Sequence, residues 1–221
     1  MFRQRGYDVI SVYIDEAFKP TIVADILPWE YKSLWTKGYF TVIASSPPCT
    51  EYSTAMTRRP REYRIADCLV LQSLDIVQHL APQFWFLENP RKGHLKTRSF
   101  MEDIPYVDID YCQFSDWGYQ KPTRIWGSPV LRKQKPRLCD MRTCPNVVMR
   151  ANGFLGHQAI LGAYPPMEYP ESPKRNSTAS RQLWYVISPV GTVKAQTGRR
   201  DADRQSFPIF VLLLIPIHLI P

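Results

Sequence analysis

Two apolar runs, residues 39–44 and 83–87, flank a stretch whose apolar side chains return at helical spacing. Ile65, Ala66, Leu69, Val70, Leu74, Val77 and Leu80 share one helix face, so 62–80 is predicted to be an amphipathic helix. The flanking runs are rich in β-branched and aromatic residues and are predicted to be strands. A helical crossover of this length joins parallel strands, which makes the segment a βαβ unit and the fold α/β. In an open parallel sheet, ligands sit in the crevice at the carboxyl ends of the strands. The first run leads into Ser46-Pro47-Pro48-Cys49 and the second into Glu88-Asn89-Pro90, so a thiol and a carboxyl group reach one crevice.

A thiolate that attacks and a carboxyl group that handles a proton can work on one substrate. A lone Cys after a strand is more often a packing residue. The reading here rests on a third element in order, Gly118-Tyr119-Gln120-Lys121-Pro122-Thr123-Arg124-Ile125-Trp126. Together the three resemble the cytosine-C5 DNA methyltransferase family. Pro48-Cys49-Thr50-Glu51-Tyr52-Ser53 is similar to that family's Pro-Cys-Gln-x-aromatic-Ser, and Glu88-Asn89-Pro90 to its Glu-Asn-Val. The third element is similar to Gln-x-Arg-x-Arg-hydrophobic, with Pro122 in place of the first Arg and Arg124 keeping the second. The resemblance covers roughly residues 6–130, with a terminal helix near 178–189.

The resemblance implies a Rossmann-like sheet that transfers a methyl group from S-adenosylmethionine to carbon 5 of cytosine in DNA. Cys49 would add to carbon 6, which makes carbon 5 enamine-like. Glu88 would bond the base at N3 and its amino group, a role that burial supports by favouring the protonated acid. Arg124 would clamp the base carbonyl oxygen. Carbon 6 is out of reach inside a duplex, so the target base must be flipped out. Asp15, Asp25, Ile26 and Pro47 are the expected cofactor contacts, and Ser53 and Asn89 the expected supports. An acidic residue directly after an early strand suits a ribose hydroxyl, although Asp15 and Asp25 serve equally as turn or cap residues.

The chain carries 28 Lys and Arg against 20 Asp and Glu, a net charge of +8. That balance suits a phosphate-bearing partner, and DNA is the expected one. Arg58, Arg59, Arg61, Arg91 and Lys92 follow the Cys and Glu motifs and, with Lys121, are expected to rim the crevice and hold DNA phosphates. The five cysteines, 49, 68, 112, 139 and 144, are odd in number and irregularly spaced, which points away from a disulfide framework and towards an intracellular protein. Met1 to Gly6 leads straight into strand-like sequence with no signal peptide. Neither a protein partner nor a membrane is indicated.

Residues 8–14 and 22–24 are predicted strands, as are 107–114 and 123–126, which the resemblance implies form an antiparallel pair at the sheet edge. The expected organisation is a catalytic core over 1–129, a short recognition segment over 130–175, a terminal helix over 176–190 and a disordered or non-native tail over 191–221. The recognition segment is Pro-rich and irregular. Cys139, Cys144 and His157 there could ligate zinc, but no fourth ligand is evident and no metal is assigned. The tail is apolar yet too short and too Pro-broken to span a bilayer.

One part of the family pattern is missing. The chain has no Phe-x-Gly-x-Gly loop to cradle the methionine end of S-adenosylmethionine, and no strand leading into it. The sheet is therefore expected to lack its first, central strand, between the strands ending at Ile14 and Ala44, as in an N-terminally truncated chain. Two other functions fit the same residues: an inactive nucleic-acid-binding remnant and an RNA cytosine-C5 methyltransferase acting on tRNA. A different thiol enzyme would need His79, His94 or His157 to pair with Cys49.

Overall fold

The helix α1 runs from Tyr63 to Leu80 and buries Ala66, Val70, Ser73, Ile76 and Leu80 against the sheet. It ends at Ala81, which takes a left-handed conformation and returns its N–H to the Val77 carbonyl. Pro82 follows and cannot continue a helix. The computed structural model describes residues 8–114 and 118–158 and the backbone of 209–212. The expected helix at 176–190 lies outside the described residues.

Nine strands are described. They are β1 (Val9–Tyr13), β2 (Ile22–Val23), β3 (Val42–Ser45), β4 (Phe84–Pro90), β5 (Tyr106–Asp110), β6 (Pro122–Gly127), β7 (Val147–Met149), β8 (Leu155–His157) and β9 (Ile209–Leu212). Seven form one sheet in the order β2-β1-β9-β3-β4-β6-β5. The strands from β2 to β4 are parallel to their neighbours. β6 is antiparallel to β4 and to β5, which gives the expected edge pair. β7 and β8 form a separate hairpin.

The expectation of a missing central strand is corrected here. The gap lies where the sequence places it, between β1 and β3, but Ile209–Leu212 fills it. Val211 is paired with Ser11 on one side and with Ala44 on the other. The physical reason is backbone accounting: two parallel strands held apart without a third would bury unpaired N–H and C=O groups. The run is apolar and partly β-branched, a composition common in strands. This part of 191–221 is therefore sheet, not a disordered tail.

Packing fixes the strand ends that carry chemistry. Val12, Ile26, Tyr31, Phe40, Ile43, Ile76 and Leu80 form one core cluster. Tyr52, Ala66, Val70, Leu87, Leu95, Met101 and Trp126 form a second beneath the Cys and Glu motifs. At Gly127 a side chain is excluded, because a Cβ there would lie 2.2 Å from the Trp85 carbonyl oxygen. The neighbouring Ser128 closes that crossing, donating its N–H to the Trp85 carbonyl and accepting the Trp85 N–H on Oγ at 2.8 Å.

Strand β5 is shorter than its alternation suggests. It stops at Asp110 opposite Pro122, whose ring has no N–H to extend the ladder. The chain then turns through Tyr111–Gln113. The outer edge of β5 is partly covered, since Asp110 donates its N–H to the Arg137 carbonyl and Arg137 returns its own to Asp108. Covering an edge in this way removes a template for strand pairing between chains.

Candidate active site

Strands β3 and β4 are adjacent and parallel, with Ser45 opposite Leu87, so the residues that follow each reach the same end of the sheet. Ser46 donates its hydroxyl to Glu88 Oε2 at 2.6 Å, and Asn89 Nδ2 donates to the Pro47 carbonyl at 3.0 Å. These two bonds tie the Cys loop to the Glu strand across the crevice. The prolines leave few backbone donors in the loop, so Asn89 holds it by a carbonyl. After Cys49 the chain closes two turns, Tyr52 N–H to the Cys49 carbonyl and Ser53 N–H to that of Thr50. The buried Tyr52 hydroxyl donates to Asp67 on α1 at 2.8 Å, and Arg98 holds the same carboxylate.

Glu88 is 2 % exposed and Lys121 is 8 % exposed. Their Oε1 and Nζ atoms lie 3.4 Å apart. Neither atom has a hydrogen bond among the described residues, and nor has Asn89 Oδ1, although all three are buried. Unsatisfied buried polar atoms are costly, and Glu88 Oε1 with Lys121 Nζ, both acting on the Cys49 thiol, form a polar floor that a hydrogen-bonding ligand would complete. Lys121 sits in a left-handed backbone conformation with φ of 36°. Such strain in a non-glycine residue persists only where surroundings enforce it. Its ammonium also lies 4.6 Å from the Tyr111 ring centre.

Burial pushes the Cys49 thiol above its ordinary range, and the Glu88 carboxylate pushes it the same way. Lys121 and the residue's own backbone N–H pull it down. Burial thus favours the thiol form, and Lys121 is the cation that favours its ionisation.

Several expected site residues stand elsewhere. Arg124 does not join Glu88. It is opposite Asn89 and Asp108 in the ladder, whereas Glu88 is opposite Ile125, and successive residues alternate faces. Its guanidinium makes a bidentate pair with Asp108, Nε at 2.7 Å and Nη2 at 2.9 Å, and stacks 3.7 Å from the Tyr106 ring centre. Ile26 is 2 % exposed and belongs to the core, so it is not presented to a cofactor. Lys121 is enclosed rather than on a rim. Arg91 reaches inwards to Asp110 at 3.3 Å, and Arg61 donates to the Ser53 carbonyl at 2.8 Å. Arg59 is paired with Glu51, whose carboxyl it holds below the usual range. Arg58 and Lys92 are exposed, as a phosphate contact requires.

Pro47 is buried in the crevice wall, and Ser53 Oγ accepts the Ala55 N–H at 3.2 Å. Asp15 and Asp25 are exposed just past the ends of β1 and β2. Each uses one carboxylate oxygen in a local turn, to Ala17 N–H at 2.9 Å and Leu27 N–H at 3.0 Å. The histidines have partners other than Cys49: His79 packs on Tyr31, His94 lies beside Tyr63, and His157 sits among cysteines. Sequence reasoning missed Ser46 and the inward role of Lys121. The signal for Ser46 was its place directly before Pro47-Pro48-Cys49; Lys121 looked like any basic residue of a Gln-Lys-Pro loop.

Beyond Lys121 opens a cleft of about 480 Å³, lined among others by Tyr119, Pro122, Arg150, Phe154 and His157. It separates the entry of β6 from the β7–β8 hairpin, where Met149 and Phe154 are exposed apolar residues. In the described residues no helix is long and apolar enough to cross a membrane, and all five cysteines are free.

A parallel α/β sheet with a thiol and a buried carboxyl group at adjacent strand ends is the arrangement that the sequence motifs imply for a cytosine-C5 methyltransferase. The chain is similar to a "Probable DNA (cytosine-5)-methyltransferase" of Frog virus 3 (isolate Goorha), at 29 % identity over 136 residues, covering 56 % of this chain. It spans 62 % of that relative's length. No protein-family model matches the chain.

Proposed function

We propose that the chain is a DNA cytosine-C5 methyltransferase whose Cys49 adds to carbon 6 of a flipped cytosine. The observation that carries this reading is the pair of buried atoms without a hydrogen bond, Glu88 Oε1 and Lys121 Nζ, which lie 3.4 Å apart and whose charges both act on the Cys49 thiol. Cytosine presents a matching edge: an amino group and N3 for the carboxyl group, and a carbonyl oxygen for a cation. Glu88, held through its other oxygen by Ser46, would bond N3 and the amino group. Lys121, rather than Arg124, would bond the carbonyl oxygen and stabilise charge as the adduct forms. The base must leave the helix to reach this floor. The surrounding positive charge, with Arg58 and Lys92 exposed, suits the phosphates on either side.

The cofactor fit is one-sided. Asp15 and Asp25 offer exposed carboxylates past the ends of neighbouring parallel strands, where ribose hydroxyls would sit. The run after β9, Leu213-Leu214-Ile215-Pro216, has none of the glycines that let a backbone approach the methionine end. S-adenosylmethionine, when bound, would supply the methyl group. Pro47 and Asn89 would keep the thiol loop fixed while the base is attacked.

Duplex DNA containing 5-fluorocytosine tests the reading, because fluorine at carbon 5 blocks the elimination that frees the enzyme. A covalent complex through Cys49 that depends on S-adenosylmethionine is expected. A folded chain that binds the DNA but forms no adduct would overturn methyl transfer and leave the non-catalytic remnant.

A further inference from the structure

Cys112 leaves the end of β5, two residues past Asp110, and turns its thiol away from the sheet into the recognition segment. There it meets Cys139, Cys144 and His157. The four ligand atoms, three Sγ and one imidazole nitrogen, all lie within 4.8 Å of one another. Two of the edges are resolved individually: Cys139 Sγ to His157 Nε2 is 3.4 Å, and Cys144 Sγ to the same nitrogen is 3.7 Å. A tetrahedral ion with bonds of about 2.3 Å to sulfur and 2.0–2.1 Å to nitrogen has edges of about 3.5–3.8 Å. Cys112, Cys144 and His157 are buried, and Cys139 is half-buried.

We propose that Cys112, Cys139, Cys144 and His157 bind one zinc ion as a structural site that fastens the recognition segment to the edge of the catalytic sheet. The donor set selects the metal: three thiolates and one imidazole in tetrahedral array suit zinc, while oxygen-seeking ions find no oxygen ligand in the set. All four positions come from the protein, so the site is closed and structural rather than catalytic. The supports expected around ligands are present. Asp110 Oδ2 accepts the Cys139 N–H at 2.8 Å, Asn146 Nδ2 donates to the Cys112 carbonyl at 3.2 Å, and Arg150 donates to the His157 carbonyl at 2.9 Å. A turn closed by Cys144 N–H to the Asp140 carbonyl sets the spacing of the second and third ligands, and the ladder pair Val147 with His157 brings in the fourth.

The connection the ion makes is specific. Cys112 belongs to the sheet side, and the other three belong to the segment after it. His157 and Gly156 also line the cleft that opens beyond Lys121. Zinc would therefore set the position of that cleft's outer wall, whatever chemistry occurs at Cys49.

The test uses the full chain, untagged and purified under reducing conditions without chelator. Its zinc is measured by elemental mass spectrometry, and its thiols are mapped by alkylation with and without a chelator. The expected result is ~1 zinc per chain. Cys112, Cys139 and Cys144 should be protected until the chelator is added, while the exposed Cys68 labels at once in both samples. Replacing zinc by cobalt should give the charge-transfer and d–d absorption of a tetrahedral thiolate site. Cys112→Ser should weaken the charge-transfer band and lower zinc affinity, and this spectrum identifies the fourth ligand even if a variant lacking Cys144 fails to fold. A folded chain that stays zinc-free after supplementation, with all cysteines labelling equally with and without chelator, overturns the proposal. A disulfide among the three cysteines in the zinc-free chain overturns it as well.

Discussion

The crevice at Cys49 and the cysteine–histidine cluster at the sheet edge are built on opposite principles. In the crevice, neighbouring strands set the geometry: β3 and β4 share a register, and the side chains at their ends arrive already aligned. Around the cluster, only His157 lies in a strand; Cys112 sits in a single 3-10 turn, and Cys139 and Cys144 lie in irregular chain. Regular hydrogen bonding holds the first region without help. The second has short strands and exposed apolar residues, so a bound ion would supply what a small core does not. This chain keeps Cys49 and Glu88 just past aligned, paired strand ends and sets Cys139, Cys144 and His157 on a piece with only a short hairpin of its own.

The largest effect should come from Cys49→Ala. Methyl transfer should fall below detection while DNA binding and thermal stability stay near those of the parent, measured by transfer assay, binding isotherm and melting curve. Full transfer by this variant would detach the crevice from the chemistry. Glu88→Gln should follow, with transfer slower by about 10²–10⁴-fold, the usual contribution of a positioned acid or base. Its zinc content should not change, which keeps the two regions independent.

Val211→Pro tests the scaffold. Proline cannot donate to a central ladder. Leaving the partner carbonyl unpaired should cost about 1–3 kcal/mol and lower the melting temperature. An unchanged melting curve would remove β9 from the sheet. Arg124→Met separates a structural arginine from a base-binding one. Loss of its pair with Asp108 should cost about 1–3 kcal/mol of stability, with transfer by the folded fraction within a few-fold of the parent. A large loss of transfer at unchanged stability would restore Arg124 to the base. The smallest effect is a titration. Cys49 should react with a small alkylating reagent at a pH midpoint above that of an ordinary thiol. Glu88→Gln removes a group that raises the thiol pKa, so the midpoint should move down. Lys121→Met removes one that lowers it, so the midpoint should move up.

Much of the sheet was legible because its signals are local. The 62–80 periodicity matches α1 within a residue, and the strand-like runs before Cys49 and Glu88 overlap β3 and β4. The edge pair followed from the alternation over 107–114 and from the family resemblance. What was not legible depends on pairing across long separations. Nothing in residues 209–212 says that they lie between β1 and β3, since a short apolar run is compatible with many positions. Cys112 fell inside the strand predicted over 107–114, and only the early end of β5 turns it towards Cys139. The inward turn of Lys121 and the pairing of Arg124 with Asp108 were hidden for a similar reason: both residues are basic, and the motif states neither the left-handed backbone at Lys121 nor the ladder register of Arg124.

The placement of β9 also has a consequence for biosynthesis. A ribosome releases β1 and β3 long before it reaches residues 209–212, so the growing chain carries two half-sheets with facing open edges. Contacts between such distant residues form slowly, because a long loop must close first. Until then each edge is a template for pairing with another nascent chain. Expression yield should therefore depend on chaperone capacity more steeply than the size of the chain alone would suggest.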